Sequence, residues 1–284
     1  MSNLSHKEIE ALIMLLTDSD PHTVTLVKQK LKEIGEDSLV NLKRALKTKP
    51  NPVQKKLGPI LAEMDQMEFE EQFSAYLSES SEINLEDGAF LLAKSQYPKM
   101  EISFYRSTLN QMAEDLKKSL GDTQQPLEII HRFNIFLFEK ERFHGNALSY
   151  HDPENSYLNR VIDRRKGIPI SLSAIYLFLG RRLNLPIFGI GMPIHFILGY
   201  EKETQKFLID PYHKGALLKV QDCVQFLQNS GIPFHSSFLE KVSDQTILAR
   251  MLRNLQVIYS KTQRQPELNK INHWIETLLQ KGPL

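Results

Sequence analysis

Apolar residues recur at three- and four-residue steps along most of the chain, the mark of amphipathic helices that turn one face to a core. Ile9, Leu12, Ile13, Leu15 and Leu16 make the first run, with Ser5 and Glu8 at capping-box spacing before it and Asp18-Ser19-Asp20-Pro21 after it. Val24, Val27, Leu31 and Ile34 make a second that stops at Gly35, and Leu39, Leu42, Ala45 and Leu46 a third that stops at Lys49-Pro50-Asn51-Pro52. Val53, Leu57, Ile60 and Leu61 begin a fourth. Further helices are predicted at about 85–95, 104–120 and 127–140, with the polar stretch 121–126 between the last two.

The pattern changes between residues 143 and 212. Gly167-Ile168-Pro169 interrupts the backbone after a charged run, and proline suits the first turn of a helix, where its missing N–H would have no partner. Leu172, Ile175, Tyr176, Leu179 and Leu183 follow at helical spacing while Ala174, Leu177 and Phe178 occupy the other faces. A helix apolar on most of its circumference is predicted to be buried at the centre. Asn184-Leu185-Pro186 ends it, and 187–191, 195–200 and 206–211 read as three strands, the last two joined by a polar turn. That reading puts His195 and Asp210 on consecutive antiparallel strands, facing one another. Beyond them, helices are predicted at 217–227, 237–241, 245–262 and 266–280. The fold class is α+β, mostly helical, with a central helix against a small antiparallel sheet.

Composition narrows the function classes. The 284 residues are 41% hydrophobic, enough for a sizeable core, and carry 35 Lys plus Arg against 34 Asp plus Glu. Such a balance argues against a dedicated nucleic-acid or anionic-membrane surface, and Arg164, Arg165, Lys166, Arg181 and Arg182 read as charged helix ends. One cysteine allows no internal disulfide and suits a reducing compartment. The first residues lead directly into a charged helix with no signal-peptide pattern, and no apolar run is long enough to span a bilayer, so the cytoplasm is expected. His144, His151, His213 and His235 show no acidic or thiol partners at metal-ligand spacing, and neither a metal nor a cofactor is expected.

The candidate chemistry lies in the middle segment. The order Gly145-Asn146, Tyr150, Asp152-Pro153, Asn155-Ser156-Tyr157-Leu158-Asn159, Val161-Ile162-Asp163-Arg164-Arg165, Gly167-Ile168-Pro169, then His195, then Asp210-Pro211, resembles the core of the transglutaminase-like superfamily. Within it the run is similar to the SirB-like bacterial branch, whose core domain also occurs in a eukaryotic F-box protein. The resemblance implies a cysteine-protease-like core in which catalytic members place a Cys two residues after the glycine, at the N-terminus of the central helix, with His and Asp on neighbouring strands. In that register His195 and Asp210 take the His and Asp places, and Pro169 takes the Cys place. The expected function is therefore a catalytically silent protein-interaction or scaffolding module. The alternative is a hydrolase or acyltransferase using His195 and Asp210 with Ser171, water or a partner's group as the attacking atom. Ser171 is a weak nucleophile candidate, since an early-helix serine also bonds to free backbone groups of the first turn. Cys223, in a helix-like run, reads as a buried, inert thiol.

Gly145, Asn146, Tyr150, Asn155, Ser156 and Pro169 are expected to line the cleft facing His195, or else to cap turns and the helix that follows. The organisation expected is a segment 1–75 of helices resembling HEAT repeats, a transglutaminase-like domain with a helical lead-in at 76–242, and a helix pair of tetratricopeptide size at 243–284. A protein partner is expected, with its identity and the oligomeric state left open.

Overall fold

The computed structural model describes residues 5–34, 36–79 and 82–280, without the side chains of 6, 32–34 and 36–40. The helix stop expected at Gly35 and the core places expected for Ile34 and Leu39 lie outside what is described. The chain forms two compact units, Met1–Gln72 and Phe73–Leu284, and the boundary falls inside a helix. The protein is mostly helical with small sheets. None of its described helices is long and apolar enough to cross a membrane.

The first unit contains α1 (His6–Leu16), α2 (Pro21–Ile34), α3 (Glu36–Leu46) and the beginning of α4 (Asn51–Glu79). Ser5 and Glu8 form the capping box: the Ser5 Oγ accepts from the Glu8 N–H, and the Ser5 N–H donates to the Glu8 carboxylate at 2.7 Å. Ile13, Leu16, Val27, Leu31, Leu42, Leu46, Leu57, Leu61 and Met64 close one apolar core, drawn from all four helices at the spacing read from the sequence. The fourth helix runs much further than its first apolar run requires, continuing through Pro59 for 29 residues.

The second unit begins its own core with α5 (Leu85–Gln96) and α6 (Ile102–Leu120), then α7 (Pro126–Asn134), which continues as a π-helical turn, Ile135–Lys140. Two-residue strands β1 (His144–Gly145) and β2 (Lys166–Gly167) pair in parallel on either side of α8 (Leu158–Arg164). The next helix, α9 (Pro169–Arg182), is the centre: every residue from Pro169 to Gly180 is buried. It packs on α6, on the sheet and on α11 (Asp244–Lys261), and Tyr176 stacks on Phe133 with ring centroids 3.7 Å apart. The apolar circumference read from the sequence thus meets protein on all sides.

The sheet is antiparallel throughout, in the order β3 (Ile187–Ile190), β4 (Ile197–Lys202), β5 (Gln205–Asp210), β6 (Ala216–Leu218). Between β6 and α11 comes α10 (Val220–Asn229), which seats Cys223 and Leu227 on Ile190, Met192 and Ile197. The last helix, α12 (Gln265–Leu279), packs along α11.

Three expectations about this region need correction. First, His195 is not on a strand: β4 starts at Ile197, and His195 sits in the preceding loop after Ile194, whose φ of 54° is left-handed. Second, residues 216–218 form a fourth strand where a helix from 217 was predicted. Gly215, at φ 73°, turns the chain back so that Ala216–Leu218 find free backbone groups on β5. Third, the helix predicted at 237–241 is a single 3-10 turn, Ser236–Leu239, after which Lys241 bridges to Ile190 on the outer edge of β3.

Candidate functional site

The start of α9 is held by side chains that bond to backbone. Ile168 is extended and Pro169 opens the helix. The Ser171 hydroxyl accepts the Ile168 N–H at 3.0 Å and donates to the Asn155 carbonyl at 2.6 Å, fully buried. It thereby satisfies one of the orphan donors of the first turn and anchors the 146–156 segment. A Cβ on Gly167 would stand 2.6 Å from this same hydroxyl, so only glycine admits the arrangement. Asn155 extends the network, donating to the Ser149 carbonyl at 2.7 Å and accepting from the Asn146 amide at 3.0 Å. Asn155 and Ser156 are buried, and the Ser156, Asn159 and Ser173 side chains each leave a buried oxygen without a hydrogen-bond partner. Gly145 lies where a Cβ would meet the Tyr212 ring at 2.5 Å. Tyr150 is partly exposed, edge-on to Tyr212 at 6.1 Å.

The facing side is built at the ends of β4 and β5. His195 Nε2 lies 2.8 Å from Asp210 Oδ2, and the two side chains are only 10% and 4% exposed. The structure therefore brings these two residues together, although one reaches in from a loop. Arg250, from α11, fixes that loop by donating to the carbonyls of Met192 at 2.7 Å and His195 at 3.0 Å, with its guanidinium over the Phe196 ring. Burial, with Arg253 nearby, pushes the Arg250 pKa below its usual value. Asp210 also caps the short turn Pro211–His213. Its Oδ1 accepts the N–H groups of Tyr212 at 3.0 Å and His213 at 3.3 Å, while His213 Nδ1 lies 2.8 Å from Oδ2. Burial by itself would raise the Asp210 pKa. The hydrogen bonds and charge of His195 and His213 outweigh it and hold the carboxyl below its ordinary value.

The rings of Tyr212 and Phe226 flank this centre, 6.5 Å and 5.4 Å from the imidazole. Chemically, the arrangement is an imidazole oriented by a carboxylate, a pairing able to accept or hold a proton. The hydrogen bonds of Ser171 go to Ile168 and Asn155, and none reaches His195. Cys223 is buried beneath the sheet, and burial pushes its thiol pKa up.

Sequence reasoning missed His213 and Arg250. His213 was set aside for want of an acidic partner, yet Asp210 stands three residues before it, and the Asp-Pro turn brings their side chains together. His195, Asp210 and His213 form a group able to hold a metal ion. Nothing in the spacing could have pointed to Arg250, which lies 55 residues from the carbonyl it holds.

A family profile described as the transglutaminase-like superfamily matches residues 103–253, more than half of the chain. A UPF0162 protein of Xylella fastidiosa is 32% identical over 183 residues, covering 62% of this chain and 65% of that protein. A UPF0162 protein of Vibrio cholerae is 25% identical over 199 residues, 64% of this chain and 68% of that protein. Human F-box only protein 21 is 32% identical over 136 residues, 45% of this chain but 21% of its own length. The chain thus spans just under two thirds of the Xylella relative. No solved structure matches it.

Proposed function

We propose a function on one premise, that the chain belongs to the transglutaminase-like superfamily: this member, of the SirB-like branch, is catalytically silent and serves as a protein-interaction or scaffolding module. The observation that carries the reading is Pro169. It stands where catalytic members of the superfamily place their cysteine, and a proline offers no attacking atom. The two nearby substitutes are also disabled. Ser171 is engaged on both sides by backbone groups, and Cys223 is buried with a raised pKa, which disfavours the thiolate.

The retained His195–Asp210 pair then has a structural role, joining the loop before β4 to the end of β5. The helices of the first unit, taken as HEAT-like repeats, and the pair α11 and α12, taken as tetratricopeptide-like, supply surfaces of the kind that bind protein. A single reduced cysteine suits a cytoplasmic setting for such a module.

The test is turnover of peptide and amide substrates by the full chain, by His195→Ala and by Pro169→Cys. Background rates in all three are expected, because a thiol placed in a site not built to position a substrate gains little. Wild-type turnover that disappears in His195→Ala would replace this reading with the second one, a hydrolase or acyltransferase with a non-cysteine nucleophile, for which the intact His195–Asp210 pair is the supporting observation.

A further inference from the structure

We propose that His195, Asp210 and His213 bind one divalent transition-metal ion of the zinc type, at the turn that follows β5. His195 Nε2, Asp210 Oδ2 and His213 Nδ1 lie within 4.8 Å of one another, and both nitrogens stand 2.8 Å from the same carboxylate oxygen. Donor atoms about 2.0–2.2 Å from a tetrahedral ion are separated by roughly 3.3 Å. The two nitrogen–oxygen spacings need to open by about half an ångström, and the adjustment that closes the nitrogens together falls on His213, whose ring is 65% exposed on a three-residue turn.

The donor set selects the class of ion. Two imidazoles and one carboxylate suit zinc and its first-row neighbours, whereas calcium and magnesium take oxygen shells. With neutral imidazoles the site carries one negative charge, and among the described residues the ion-pair partners of Asp210 are the two histidines alone, with no Lys or Arg to compete. The carboxylate is also preset. Its Oδ1 is fixed by the backbone N–H groups of Tyr212 and His213, which orients Oδ2 toward the rings, as outer hydrogen bonds orient metal-ligating carboxylates elsewhere. Burial of His195 and Asp210 closes the protein side, and exposure of His213 leaves the solvent side open for water as the remaining ligand.

The two states of the cluster differ in where protons sit. When both rings donate to Oδ2, His195 carries its proton on Nε2 and His213 on Nδ1. When the same nitrogens hold an ion through their lone pairs, the protons reside on His195 Nδ1 and His213 Nε2, with no net proton released by a neutral ring. The ion then joins the loop at 195 to the turn at 211–213 by coordination instead of by hydrogen bonds.

The experiment uses the full chain freed of metal by chelator dialysis, titrated calorimetrically with Zn2+ and, in parallel, with Co2+ followed by visible absorption. One equivalent of Zn2+ per chain, a tetrahedral-type Co2+ spectrum and a shift of both rings to the opposite tautomer in nitrogen-detected NMR are expected. His213→Ala should weaken Zn2+ binding by at least about 100-fold, since even the outer partners of metal ligands are worth about 10–100-fold. His22→Ala, on an exposed ring in α2 of the first unit, should bind as the wild type does. No stoichiometric uptake by the wild type, or unchanged affinity in His213→Ala, overturns the proposal. If His213→Ala does not fold, the tautomer shift in the wild type decides. None of these readouts depends on turnover or on a partner, so the result leaves the silent-module reading to its own test.

Discussion

The start of α9 and the turn after β5 belong to elements that pack on one another, and they use their polar atoms in opposite ways. At α9 the Ser171 hydroxyl and the Asn155 amide bond to backbone groups and to Asn146, so their lone pairs and protons are committed to shape. At β5 the titratable groups bond to each other: Asp210 receives two imidazoles on one oxygen and two backbone N–H groups on the other. One side is locked polar structure, and the other is an exchangeable cluster whose protons can move. The start of α9 is thus fixed by its hydrogen bonds, while the turn after β5 keeps features a proton or cation can act on.

If this contrast is right, the two sides should respond differently to the loss of one member. Asp210→Ala strands the His195 ring and two backbone N–H groups in a mostly buried place, and should cost about 3 kcal/mol, the range for breaking a buried charge pair, read by denaturant unfolding with far-UV circular dichroism. A loss of only a few tenths would show that the cluster is not holding the turn. Ser171→Ala removes a single hydroxyl and leaves the Ile168 N–H and Asn155 carbonyl unmatched, so a smaller loss of about 1–3 kcal/mol is expected from the same measurement. A cost for Ser171→Ala greater than that for Asp210→Ala would reverse the comparison.

The smallest effect sharpens the contrast through pH. The folded-state pKa of Asp210 is depressed, so its contribution to stability is fully present above the unfolded carboxyl value of about 4 and is lost as pH falls through the lower folded value. The melting-temperature gap between wild type and Asp210→Asn should narrow as pH falls below about 4. The corresponding gap for Ser171→Ala involves no titrating group and should not narrow. A gap for Asp210→Asn that failed to narrow below about pH 4 would contradict the sign of the shift.

What the amino-acid order determined by itself is what local periodicity can encode. The capping box at Ser5, the helices of the first core, the all-round burial of α9 and its proline start follow from side-chain spacing along a helix of fixed pitch. The approach of His195 to Asp210 was also legible, because the chain between them is one short hairpin. Tertiary structure alone decided the rest. Three residues became β6 because β5 offered them unpaired backbone groups, and Ser171 found its acceptor 16 residues away in Asn155. His195 left its strand for a loop that Arg250 holds from another helix, and His213 joined the cluster through a turn capped by Asp210. Each of these depends on which unsatisfied donor and acceptor meet once the core has closed. A hydrogen bond between distant segments leaves no period in the sequence, whereas a buried helical face must repeat its apolar residues to exist at all.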